Sequence, residues 1–385
     1  MKFLTRTIWI LSFISLFTDV ASEMLYPVMP MYLTSIGFSV ALIGMLEGIA
    51  EATAGLSKGY FGKLSDCRGK RKPFVQIGYS LSAAAKPLMI LSTSPLWVFC
   101  MRTCDRMGKG IRTGARDAML SAESTPEYKG RVFGFHRAFD TLGAALGPLL
   151  ALLFLSFSPG QYQALFLIAI VPGLAAVGMT FFIKENIFPA SANETGNGFF
   201  SFLRYWKTAP RKYRTVAAGL LLFALFNSSD MFLLLMVRSR GMSDQAVIAL
   251  YIFYNFVFVL ASYPFGMAGD RFGLKSVYIF GLLIFAVVYA GIGFAHTIII
   301  MVFLFLLYGL YAAATEGIAK AWISNLVTKS EVSTAIGFYS GLQSLSTLLA
   351  SSATGWIWYM FGPAVAFELS AAGTLLAGVY LFFLA

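Results

Sequence analysis

The chain has 385 residues, 58% of them hydrophobic and 12% charged, with a mean hydropathy of +0.74. That is too apolar for a water-soluble domain, whose charged share is about a quarter; it leaves room for roughly a dozen membrane spans of about 20 residues each and for no sizeable soluble domain. The 29 basic and 18 acidic residues give a formal charge of +11, an excess to be tested first against the rule that cytoplasmic loops collect Lys and Arg.

Lys2 and Arg6 precede an apolar run from Ile8 to Phe17 and the small-residue Val20-Ala21-Ser22, the outline of a secretory signal. Apolar sequence resumes through Tyr26, Met29 and Leu33, so the segment reads as a first span, with Asp19 and Glu23 near its midplane. Further apolar stretches run approximately from Val40 to Phe61, Phe74 to Leu91, Leu96 to Leu120, Val132 to Leu155 and Tyr162 to Ile183. After a longer connection they continue from Val216 to Val237, Ala246 to Phe265, Ser276 to Phe294, Ile298 to Leu326, Val332 to Ile357 and Pro363 to Leu384. Together they make twelve.

Basic residues fall in alternate connections. Lys63 to Lys72, Lys129 and Arg131, Lys184 to Arg214, Arg271 and Lys275, and Lys329 share the side of Lys2 and Arg6, whereas the opposite side holds only Arg238 and Arg240. The positive-inside rule then places both termini in the cytoplasm of a multi-pass cytoplasmic-membrane protein. The excess charge is topological, and no nucleic-acid partner is expected. Lys70, Arg71 and Lys72 read as topology determinants of this kind. Cys67, Cys100 and Cys104 have neither zinc-ligand spacing nor a disulfide framework, and no metal site is expected. The connection after Lys184 carries the polar run Ser191 to Gly198 and then Phe199, Phe200, Phe202, Tyr205 and Trp206 among basic residues. It reads as a flexible linker followed by an amphipathic interfacial helix. The domains expected are a first six-helix bundle over 1–184, a linker over 185–213 and a second six-helix bundle over 214–385.

The two halves repeat. Gly62-Lys63-Leu64-Ser65-Asp66-Cys67-Arg68-Gly69 between spans two and three recurs as Gly266-Met267-Ala268-Gly269-Asp270-Arg271-Phe272-Gly273 between spans eight and nine, and the same spacing relates Gly37 to Gly241. Gly134-Phe135 similarly pairs with Gly337-Phe338. Parallel six-helix repeats are a signature of transporters that hold substrate between two bundles. On these motifs the chain resembles the major facilitator superfamily over essentially its whole length, departing at Cys67 where a basic residue is usual. The resemblance implies an all-α integral membrane fold of twelve helices in two pseudo-symmetric six-helix bundles. It also implies gating by Gly62, Asp66, Arg68, Gly69, Asp270 and Arg271.

Ionisable residues inside spans are costly unless paired or hydrated, and so mark function. They are concentrated in the first half. Asp19 and Glu23 share one helix face, as do Glu47 and Glu51. Arg102, Asp105, Arg106 and Lys109 form a single stripe on span four that should face a central cavity. The stretch Arg102 to Arg112 resembles the superfamily's span-four antiporter motif. Arg112, Arg116 and Asp117 read as partners for Asp66 or Asp140 in an ion-pair network, Arg112 and Arg116 being grouped with the gate. On span five, His136, Arg137 and Asp140 precede Gly143, Gly147 and Pro148, a small-residue packing face resembling the antiporter motif of the superfamily's exporters; the glycines expected after Pro148 are Ala151 and Leu152 here. His136 is either a proton relay or a structural hydrogen-bonding group, and Lys86 is either paired or snorkelling. The second half offers Asp230, Tyr254, Asn255, Tyr308, Tyr311 and Glu316 as a less charged cavity wall.

The expectation is a secondary transporter, not an enzyme, that moves a small polar or charged solute by alternating access as a proton-coupled antiporter. No nucleotide-binding loop of the form Gly-x-x-x-x-Gly-Lys-Ser/Thr occurs, so the energy source is the proton gradient and no cofactor is needed. Asp19, Glu23 and Asp105 are the proton-coupling candidates, since neighbouring carboxylates repel when both are ionised and can exchange a proton. Arg102, Arg106, Glu47, Glu51, His136, Arg137, Asp140 and the second-half residues above are the cavity candidates. The partners are the solute, protons and lipid, with the chain a monomer. A proton symporter importing a metabolite or siderophore is the alternative, and an intramembrane enzyme or receptor the remote one.

Overall fold

A computed structural model describes residues 4–26, 28–38, 40–185, 198–242 and 244–384, and among these residues there is no strand. The helices in chain order are α1 (Arg6–Glu23), α2 (Met29–Ser35), α3 (Val40–Arg68), α4 (Lys72–Leu88), α5 (Pro95–Ala122), α6 (Lys129–Phe157), α7 (Tyr162–Ile168) and α8 (Ile170–Thr180). They continue as α9 (Tyr205–Thr208), α10 (Arg211–Ala224), α11 (Met231–Ser239), α12 (Asp244–Phe272), α13 (Leu274–Ile292), α14 (Ile298–Asn325), α15 (Val332–Phe361) and α16 (Pro363–Leu384). When α1–α2, α7–α8 and α10–α11 are each taken as one interrupted span and the short α9 is set aside, these are the twelve spans anticipated from the apolar stretches.

Seven helical segments are long and apolar enough to cross a membrane by length and composition alone, among the described residues. Four of the others fall short for readable reasons. α3 and α5 carry the ion-paired residues described below, and α10 and α11 are each too short alone. Helix starts follow local chemistry: the Thr5 hydroxyl accepts from the Ile8 N–H at 3.4 Å, and Pro95 and Pro363 open α5 and α16, where proline's missing N–H costs nothing.

The pseudo-repeat reaches the backbone. Gly69 and Gly273, which end the two related loops, have φ of 62° and 93°, and the related pair Gly37 and Gly241 have φ of 94° and 80°. These conformations are open to glycine and rarely to other residues.

Two compact units emerge. One comprises Met1–Ser124, Phe139–Thr208 and Thr328–Gly341; the other comprises Thr125–Ala138, Ala209–Val327 and Leu342–Ala385. In the first, α5 packs on both α3 and α4, and α1 packs on α8. An apolar cluster including Met24, Leu25, Tyr32, Leu46 and Phe166 lies fully buried within it. In the second, α14 packs on α12 and α13, and α16 on α13 and α10.

Of the linker segment, residues 186–197 lie outside those described. The interfacial helix anticipated there is a 3-10 turn over Phe199–Arg204 running into α9. Phe202 and Tyr205 are buried, and Trp206 stacks on Phe338 at 6.0 Å between ring centroids. Phe200 and Leu203 remain exposed.

Candidate functional site: buried charge networks and two helix-end contacts

Three members of the charged stripe of α5, Arg102, Asp105 and Arg106, are ion-paired. Arg102 makes a two-point contact with Glu47, Nε to Oε1 at 2.9 Å and Nη2 to Oε2 at 2.8 Å. Arg102 also lies 3.4 Å from Asp105, whose other oxygen takes Lys86 Nζ at 2.9 Å and the Ser82 hydroxyl. Arg106 pairs with Glu51 at 3.2 Å. The planar guanidinium matches a carboxylate in this two-point geometry. Arg102, Arg106, Asp105 and Lys86 are buried, while the Glu47 and Glu51 side chains are 31% and 53% exposed. The basic groups are therefore shielded, and the accessible edge of this cluster is acidic. Lys86 is thus a paired cation, which resolves the choice its sequence left open.

A second network in the same unit gathers around Asp140 on α6. The Ser15 hydroxyl donates to Asp140 Oδ1 at 2.7 Å, and Arg116 donates to Ser15 Oγ at 2.8 Å while lying 3.7 Å from Asp140 and 2.9 Å from Asp117. The Asp19 carboxyl lies close to that of Asp140. Two carboxyl groups can share a hydrogen bond only if one of them carries a proton. Glu23 ends α1 one turn beyond Asp19. Close approach of α1 and α6 at this point depends on missing side chains: a Cβ on Gly143 would lie 2.5 Å from the Leu16 carbonyl oxygen, and one on Gly147 2.6 Å from the Met24 nitrogen. His136 is buried one turn before Asp140, in the other unit's portion of α6.

The loop motifs build two matching contacts, one within each unit. Asp66 at the end of α3 accepts from the Thr334 N–H at 2.7 Å and its hydroxyl at 2.9 Å, on the first turn of α15, and from Arg71 at 3.1 Å. Ser65 and Ser333 hydroxyls meet at 2.7 Å. Asp270 at the end of α12 accepts from the Gly130 and Arg131 N–H groups at 2.7 and 3.0 Å, on the first turn of α6, with Arg131 Nε at 3.3 Å. In both, a carboxylate satisfies orphan N–H donors at a helix start and sits at the favourable end of its dipole. Burial pushes the Asp66 carboxyl up to about 6, although Arg71 and the Thr334 donors pull it down.

The basic run of the loop suggests a topology determinant at Arg71, and its position corrects that expectation. It is 1% exposed, holds Asp66, and donates to the Lys329 and Ala118 carbonyls at 2.6 and 3.2 Å. A basic run at a loop gives no sign of which member turns inward. Arg68 and Arg271 lie over Phe74 and Phe272, and Arg112 lies over the Tyr79 ring at 4.4 Å.

In the second unit, Arg137 pairs with Glu316 and covers the Phe258 ring at 5.1 Å. Asp230, in the interruption between α10 and α11, accepts from the Tyr254 and Tyr308 hydroxyls at 2.7 and 2.5 Å. Asn227 donates to Tyr311 Oη at 3.0 Å, and Asn255 donates within its own helix to the Tyr251 carbonyl. Among the described residues no group of His, Cys, Asp and Glu is arranged to hold a metal.

The sequence model of the Major Facilitator Superfamily matches residues 11–254 and 217–385. An uncharacterized MFS-type transporter of Methanocaldococcus jannaschii is 34% identical over 387 residues, covering 99% of this chain and 95% of the relative. The staphyloferrin B transporter of Staphylococcus aureus is 27% identical over 292 residues, 72% of this chain and 68% of the relative. Among solved structures, the human organic anion transporter MFSD10 superposes with a TM-score of 0.83 at 18% identity, covering 98% of this chain and 99% of that one. The repeated loops, the twelve spans and these matches agree: this chain belongs to the major facilitator superfamily and is a multi-pass membrane transporter, not an enzyme.

Proposed function

We propose that this transporter is a proton-coupled antiporter that exports a small polar or charged solute by alternating access, using no cofactor beyond the proton gradient. The observation carrying this reading is the Asp19–Asp140 carboxyl pair, set beside Ser15 and Arg116. A pair that shares one proton can accept or release it as its surroundings open to water on one side or the other. Asp105, held by Lys86 and Arg102, fixes the α5 stripe. Asp66 and Asp270, with their helix-start partners, act as gates that break when the transporter changes state. The exposed Glu47 and Glu51 edge of the first unit is offered to the solute. The chain works as a monomer in the cytoplasmic membrane, with both termini inside.

The similarity to a staphyloferrin B transporter supports a small-molecule solute. Import by proton symport would use the same carboxyl pair with the opposite direction of solute movement. The experiment is uptake of a metabolite library into inverted membrane vesicles, with and without an imposed proton gradient. Antiport predicts that an inside-acid gradient drives accumulation of one or a few polar solutes in a protein-dependent way. Solute leaving preloaded vesicles together with protons would replace it with symport, and no gradient response for any solute transported would remove the coupling.

A further inference from the structure

Both units neutralise most of their paired carboxylates with cations, Glu316 of the second by Arg137, but one carboxylate differs. In the first, Glu47, Glu51, Asp105 and Asp140 each have an Arg or Lys within 4.0 Å. In the second, among the described residues, no basic side chain pairs with Asp230; both of its oxygens take phenol O–H groups instead, from Tyr254 and Tyr308. Phenols satisfy hydrogen-bonding capacity without cancelling charge. A carboxylate placed in a span without a cation is costly and needs a positive partner from elsewhere.

The surroundings indicate what that partner is. Asp230 lies where the α10–α11 span is interrupted, a feature that transporters use to present polar groups to substrate. Asn227, on the same interruption, donates its amide N–H to Tyr311, while its Oδ1 is buried and has no hydrogen-bond partner. An anionic oxygen and an unfilled amide acceptor together call for a group that is positive and carries N–H donors. Around them Tyr251, Tyr254, Tyr308 and Tyr311 form a continuous aromatic chain, with successive ring centroids 5.4, 5.3 and 5.3 Å apart. Tyrosine rings attract cations through their electron-rich faces. A carboxylate of the solute would instead meet repulsion from Asp230 and leave Asn227 Oδ1 without a donor.

We propose that Asp230 and Asn227, within the tyrosine cluster, form the binding site for a protonated amine carried by the transported solute. The ammonium group donates to Asp230 and to Asn227 Oδ1, and the rings of Tyr254 and Tyr308 shield it from lipid. This inference rests on the transporter reading but not on proton coupling, so its test uses binding without a gradient.

The test is the thermal stability of the purified full chain in lipid nanodiscs, titrated with butylammonium, 2-phenylethylammonium and 1,4-diaminobutane, with butyltrimethylammonium and 1-pentanol as controls. A ligand that binds the folded state raises the melting temperature saturably. At least one N–H-bearing cation should do so, with butyltrimethylammonium weaker and 1-pentanol without saturable effect. Asp230→Asn should weaken binding at least tenfold and Asn227→Leu several-fold. Should Asp230→Asn fail to purify as a monodisperse protein, Asn227→Leu and the control pair decide. Absence of a saturable shift for all three amines, or equal shifts with 1-pentanol, with Asp230→Asn or with Asn227→Leu, would overturn the site. Failure of gradient-driven transport with this binding intact would count against the coupling and leave the amine site standing.

Discussion

Asp66 shows how one residue's surroundings set its behaviour. Its carboxyl titrates near 6 while packed against α15 and near 3.9 when solvated, so the packed arrangement binds the proton more tightly. Lowering the pH from above 6 toward 4 therefore favours the packed form, and raising it through 6 withdraws that advantage. Spin labels at Lys63 and Lys329 should show the short-distance population rising between pH 7.5 and 5.5, and Asp66→Asn should abolish that pH dependence; a pH-independent distribution in the unaltered chain would contradict it. The Lys86–Asp105 pair makes a second prediction. Asp105→Leu leaves Lys86 buried without its partner, at a cost of about 3–5 kcal/mol, whereas the double change Lys86→Met with Asp105→Leu removes both charges and should recover most of the loss. Thermal unfolding of the three proteins in detergent measures this, and equal destabilisation of single and double variants would show that the pairing is unimportant. The sequence revealed the acidic and basic stripe of α5 through its helical spacing. It could not reveal Lys86 or Arg71 as specific partners, because those pairings join residues on different elements whose relative placement no local pattern encodes.

At the level of elements, the apolar stretches located nearly every helix, but α3 runs on to Arg68 beyond the apolar stretch that ended near Phe61, because the helical backbone continues into the loop motif. The breaks after Glu23 in the first span and after Ala224 in the seventh were not legible: hydropathy stays high past the first, and at the second the polar Asn227-Ser228-Ser229-Asp230 is short and flanked by apolar sequence. The two helix-end contacts, by contrast, were signalled by the repeated loop. Their glycines allow close approach: a Cβ on Gly62 would lie 2.5 Å from the Ser333 carbonyl oxygen, and one on Gly134 2.5 Å from that of Ser262. Gly62→Ala and Gly134→Ala should each loosen their own contact. Hydrogen exchange followed by mass spectrometry should show at least tenfold faster exchange for peptides starting α15 in the first variant and α6 in the second. Unchanged exchange at both would mean that neither glycine is needed for contact.

For the whole molecule, membership of the major facilitator superfamily follows from features that survive without any one residue, namely the span count, the duplicated loop and the paired backbone turns. Its charge is distributed unequally, with self-neutralised networks in the first unit and a carboxylate held only by phenols in the second. The apolar composition concealed this, because a few buried acids and bases barely alter the average. The shared proton of Asp19 and Asp140 is the claim on which the coupling rests, and was only half legible: the sequence paired Asp19 with Glu23 by helical spacing, whereas the fold sets it against Asp140 on another helix. The most direct measurement compares solute exchange at equal pH with gradient-driven accumulation in proteoliposomes containing the unaltered chain, Asp19→Asn or Asp140→Asn. The account predicts that both variants keep exchange and lose accumulation by at least tenfold. Accumulation that persists in either variant would contradict it.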